Sequence, residues 1–122
     1  MTRPSFGVLA VALMVALLGS GAGRVPLGLA AGPVGEKVLL DNDRVMLIEY
    51  VFPPGFRGEE HAAVADELAY VLDGTFTVVT RGKSKTALRP GEVEYASKGT
   101  VHYSLNETAR PARVLVVLLK DR

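Results

Sequence analysis

"HAAVADELAYVLDG", residues 61 to 74, can be read two ways, and the choice decides the fold. Val64, Leu68, Val71 and Leu72 fall at i, i+4, i+7 and i+8, with a glycine at the end, which is an amphipathic helix with a C-terminal stop. In that helix the six residues from His61 to Glu67 turn by about 600°, which sets the two side chains well apart around the axis. Read instead as one straight strand, the same residues are separated by about 20 Å at ~3.3 Å per residue. The two side chains meet only if the chain is strand, turn, strand, with the reversal near Ala63 to Asp66.

The surroundings favour strands. From Val38 onward the chain is a series of short β-branched and aromatic runs: "VLL", "RVMLIEYVF", "FTVVTR", "KTAL", "VEYA", "VHYSLN" and "RVLVVLLK". Turn-forming clusters such as "DND", "PPG", "RGKS", "RPG" and "NETARP" separate them. Short strands at this spacing predict an all-β sandwich or barrel over residues 38–120. Asp73-Gly74 reads as a hairpin turn with positive φ at both positions. The nearly unbroken apolar run from Arg113 to Lys120 predicts a strand buried on both faces. Phe56, Phe76, Tyr70, Tyr95 and Tyr103 are expected mostly in the core.

The 122 residues suffice for one domain. At the N-terminus Arg3 precedes the apolar run "FGVLAVALMVALL", and "GSGAG" follows. A charged start, an apolar middle and small residues make a secretory signal peptide over residues 1–22, with cleavage expected after Ala22 and Ala30 or Ala31 as further sites. The run is short for a bilayer span of about 20 residues, so membrane contact is expected to be transient, and the alternative is an uncleaved anchor. Residues 23–37, rich in Gly, Pro and Ala, read as a flexible lead-in. The expected location is periplasmic or secreted. Without Arg3 the chain carries 13 basic and 13 acidic residues, scattered and without a basic stripe, which argues against nucleic acid as a partner. No cysteine is present, which excludes disulfides, thiolate catalysis and a lipidated cysteine.

The two histidines sit in glycine-punctuated frames. The first runs Gly55, five residues, His61, Ala63, Glu67, six residues, Gly74; the second runs Gly91, Ser97, Gly99, His102, Asn106. These frames resemble the paired motifs of the cupin superfamily. The first motif there is a glycine, five residues, His-x-His, three or four residues, Glu, six residues, glycine. The second is a glycine, five residues, Pro-x-Gly, two residues, His, three residues, Asn. Two positions depart from it: Ala63 stands where the second histidine is expected, and Ser97 where the proline is expected.

The resemblance implies a small jelly-roll β-barrel whose motif residues face inward and hold one divalent transition metal. His61, Glu67 and His102 are the ligands that remain. Two imidazoles and a carboxylate suit Fe, Mn, Zn or Ni and leave coordination positions open. Glu59, two residues before His61, would share its face in a regular strand and is a candidate replacement, whereas Glu60 would point the other way. Asn106 reads as a strand-end or turn residue rather than a ligand. The function expected is a metal pocket of reduced ligand set that binds a small molecule. The alternatives are an Fe- or Mn-dependent oxygenase-type enzyme and a metal-free interaction barrel. No catalytic residue is assigned, since no general base stands out beyond the ligands. A homodimer is the oligomer expected.

Overall fold

The computed structural model describes residues 32–83 and 85–121. The signal peptide expected over 1–22, and residues 23–31 of the lead-in, lie outside them. Nine strands and, among the described residues, no helix make up the fold. They are β1 (Gly35–Asp41), β2 (Val45–Phe52), β3 (His61–Ala62), β4 (Asp66–Asp73), β5 (Phe76–Thr80), β6 (Lys85–Leu88), β7 (Val93–Ala96), β8 (Val101–Leu105) and β9 (Ala112–Leu119). A five-stranded antiparallel sheet has the order β1-β2-β9-β4-β7, and a four-stranded one the order β3-β8-β5-β6. Two antiparallel sheets whose successive strands cross from one to the other form the jelly-roll barrel.

Residues 61–74 take the strand form. His61–Ala62 pairs with β8 in the smaller sheet, and Asp66–Asp73 pairs with β9 and β7 in the larger. The reversal between them is tied down by the turn ahead of β8: the Ala63 amide donates to the Thr100 carbonyl and the Gly99 amide to the Ala63 carbonyl, both at 2.8 Å. Helix propensity in the alanine run gives way because a helix would leave two sheets without their pairing strands.

The core lies between the sheets. Met46, Ile48, Tyr50 and Phe52 alternate inward along β2, and Ala112, Val114, Val116 and Leu118 along β9. Phe52 is its aromatic centre, with ring centroids 5.4 Å from Tyr50, 4.7 Å from Phe56 and 5.0 Å from Phe76. Burying one such ring contributes roughly 2–3 kcal/mol. Asn106 closes this end. Fully buried, it donates from Nδ2 to the carbonyls of Phe52 (3.1 Å) and Arg110 (2.8 Å), and its Oδ1 accepts from the Thr108 amide and hydroxyl.

Several expectations are corrected. The first strand begins at Gly35, so the lead-in stops short of residue 37. Asp73-Gly74 does not close a hairpin, because β4 and β5 belong to different sheets. No residue other than glycine has positive φ among the described residues; Gly74 alone supplies it here, at 79°, and a Cβ there would lie 2.3 Å from the Pro111 carbonyl oxygen. The strand over Arg113 to Lys120 is buried on one face only, and Arg113, Leu115, Val117 and Leu119 keep partial exposure on the other. Phe56 and Phe76 are core residues, but Tyr70 and Tyr95 are exposed and Tyr103 is half-buried.

Candidate functional site

His61, Glu67 and His102 come from three strands in both sheets. His61 and His102 are direct partners in the β3–β8 ladder, and their rings meet edge to face with centroids 5.0 Å apart. Across the barrel Glu67, on β4, brings Oε2 to 3.4 Å from His102 Nε2. Glu67 and His102 are both buried, at 8% and 3% exposure.

A kink in the ladder sets the histidine geometry. Arg57 bridges Leu105 and the Gly58 amide bonds the Ser104 carbonyl, whereas His61 faces His102. Gly58, Glu59 and Glu60 therefore oppose only Tyr103 and Ser104, which makes a β-bulge at the two glutamates. A bulge of this kind sends two successive side chains to one face. Glu59 and Glu60 accordingly line an open cleft of about 380 Å³ with Arg57, Gly58 and Tyr103. The Arg57 guanidinium lies 4.8 Å from the centre of the Tyr103 ring, and Glu60 is bound by Arg81 at 2.8 Å. The expectation that Glu59 shares the face of His61 fails for this reason. Its carbonyl, not its carboxylate, reaches His61, accepting from Nδ1–H at 2.9 Å. That bond fixes the tautomer and leaves His61 Nε2 as a free lone pair.

Burial governs the charge state of the pair. It pushes the Glu67 carboxyl up to about 7, helped by the nearby charge of Glu94. Burial, then the neighbouring His61, pushes His102 down to about 4. Near neutrality His102 is an uncharged imidazole beside a carboxyl that readily keeps its proton. Its Nδ1 is buried with no hydrogen-bond partner, a cost that a bound group or water would relieve.

Sequence reasoning missed two neighbours. Glu94 on β7 is the ladder partner of buried Ala69, two residues from Glu67 on the same inward face, and burial raises its carboxyl. Tyr50 on β2 is fully buried, and its hydroxyl is held protonated by burial and by the charges of Glu36 and Glu67. Glu94 was findable from the alternation of "VEYA", had the inward register of β7 been known.

The donor types fit a divalent transition metal. A separation of 3.4 Å between His102 Nε2 and Glu67 Oε2 is what two ligands show when each stands ~2.1 Å from one ion. As they stand, however, no three His, Cys, Asp or Glu side chains among the described residues converge on a single ion position. Ala63, 4% exposed, offers no donor where the motif has its fourth ligand.

A two-sheet jelly roll with a His–Glu–His cluster on its inner walls defines a cupin-type barrel. The cupin domain model matches residues 48–118, and the chain belongs to that family. Solved structures agree on the fold. A cupin superfamily protein from Desulfitobacterium hafniense superposes with a TM-score of 0.67 at 22% identity, over 75% of this chain and 81% of its own. A protein from Thermus thermophilus gives 0.65 at 27% identity, over 80% and 91%. KdgF from a Halomonas species gives 0.63 at 22%, over 72% and 80%. No curated protein matches the sequence.

Proposed function

We propose that this chain is an exported single-domain cupin whose barrel interior binds a small molecule, with His61, Glu67 and His102 as the reduced ligand set of a divalent transition metal. The observation that carries the reading is that Glu67 reaches His102 from the opposite sheet at 3.4 Å while His61 lies edge to face against His102, its Nε2 left free by the Glu59 carbonyl. When bound, the metal would supply Lewis acidity and open coordination positions for the ligand. The chain's own residues shape what enters. Glu67 and Glu94 line the inner wall, so a neutral polar or cationic group is better accommodated than an acid. Glu67 can hold a proton at its carboxyl near neutral pH and share it with His102. Export is supported by the charged, apolar and small-residue order of residues 1–22.

A second reading, the metal-free barrel, is favoured by one observation: Ala63 fills the fourth ligand's place and the other three do not converge. There Glu67 and His102 serve as a buried polar pair that contacts the ligand directly. Thermal shift of the mature protein, chelated and then supplied with Mn(II), Fe(II), Zn(II) or Ni(II), separates the two. The metal reading expects stabilisation that is lost in His61→Ala and His102→Ala; no shift with any of the ions contradicts it.

A further inference from the structure

We propose that Thr80 is the positioning residue of His102, its hydroxyl completing the ring at Nδ1, a role that rests on the metal reading only for its effect on metal affinity. Register brings the two residues together. His61, His102 and Thr80 form one rung across β3, β8 and β5, each directly opposite the next, so the three side chains share the inner face. His61 has its own anchor, the Glu59 carbonyl 2.9 Å from Nδ1. His102 has none: the residue is 3% exposed, and its Nδ1 is buried without a hydrogen-bond partner. A buried polar atom left in that state is costly, so its partner is to be sought among the groups within reach.

The surroundings narrow the choice. Glu67 approaches from the other sheet on the Nε2 side, and His61 Nδ1 is committed to Glu59. Two residues to either side of His102 stand Thr100 and Ser104. The Thr100 hydroxyl is bonded to that of Ser97 at 3.3 Å. Ser104 lies about 7 Å along the strand. Thr80 lies directly across, at the ~5 Å Cβ spacing of opposed residues, half-buried at the end of β5.

A hydroxyl suits this position because it both donates and accepts. With a metal on His102 Nε2, Nδ1 carries the proton and Thr80 Oγ1 accepts it. In chelated protein the same hydroxyl serves whichever tautomer the Glu67 contact selects. A turn of Thr80 about χ1, or one water, spans the remaining distance. The bond fixes the plane of the ring and aims Nε2 at Glu67, as the Glu59 carbonyl fixes His61. Valine has nearly the same shape without the hydroxyl and is the better strand former, so a merely structural position would tolerate it or gain from it.

Thr80→Val and Thr80→Ser in the chelated mature protein, with the valine change repeated in a His102→Ala background, test the proposal. Thr80→Val is expected to lower the melting temperature and Thr80→Ser to keep it near wild type. The valine effect should vanish or reverse once His102 is alanine. In nitrogen-15 NMR of the histidine rings, Thr80→Val should move the His102 Nδ1 resonance by far more than either resonance of His61. Zn(II) affinity by competition titration should fall about tenfold in Thr80→Val and recover in Thr80→Ser. A wild type that binds no Zn(II) tells against the metal reading alone; the chelated measurements still decide the role of Thr80. A valine variant as stable as wild type, with the His102 resonance unmoved, overturns the proposal. So does a loss of stability that persists in the His102→Ala background, and so does a His102 resonance that answers to Ser104→Ala instead.

Discussion

Replacing Glu67 with Gln should unmask a pH dependence that the native pair conceals. His102 titrates at about 4 in the fold against 6.5 in an unfolded chain, so its contribution is present above 6.5 and lost as pH falls toward 4. Glu67 titrates at about 7 against 4.5, so its contribution is present below 4.5 and lost as pH rises through 7. Each shift is about 2.5 units and, at 1.36 kcal/mol per unit, is worth about 3 kcal/mol. The two slopes oppose each other and nearly cancel between 4.5 and 6.5. Glu67→Gln removes one of them: relative to wild type, its unfolding free energy should rise by about 3 kcal/mol from pH 4.5 to 7. His102→Gln should show the reverse, falling by a similar amount from pH 4 to 6.5. Urea unfolding of chelated protein across this range measures both. Difference curves that stay flat with pH would refute the reasoning, and an inverted sign would mean that the pair is a charged ion pair in the fold.

Asn106→Ala breaks four side-chain hydrogen bonds in a buried site and is expected to cost about 2–4 kcal/mol in urea unfolding while leaving metal content unchanged; a loss of metal would make Asn106 part of the site. Gly74→Ala should destabilise far more than Gly82→Ala. Both have φ of 79°, but only the first meets backbone, at 2.3 Å, so equal melting temperatures would refute the close approach. Ala63→His restores the missing imidazole and is expected to tighten metal binding at least about tenfold by competition titration, at some cost in packing because Ala63 is buried. Unchanged affinity would place residue 63 away from the ion.

What was legible from the residues depended on whether the signal was local. The β-branched and aromatic runs "RVMLIEYVF" and "VEYA", set off by turn-forming clusters, placed those strands, and the glycine frames aligned His61, Glu67 and His102 before any geometry was known. Three features were not legible, each because it depends on which strands meet. Asp73-Gly74 has hairpin chemistry, yet β5 departs into the other sheet. The β9 run is apolar on both faces, and no single sequence says whether its second face is covered by the same chain or by another copy. Glu59 shares a parity with His61, but the bulge opposite Tyr103 reverses it. Glu94 likewise enters the site only through the register of β7 against β4.

The central claim is that two histidines and one glutamate hold an ion without a fourth protein ligand. Elemental analysis of the mature protein, purified from metal-replete growth without chelator, tests it most directly. The account predicts one divalent transition metal per chain, falling to background in His102→Ala and in His61→Ala while the circular dichroism spectrum is retained. A wild-type protein with no more metal than those variants would contradict it.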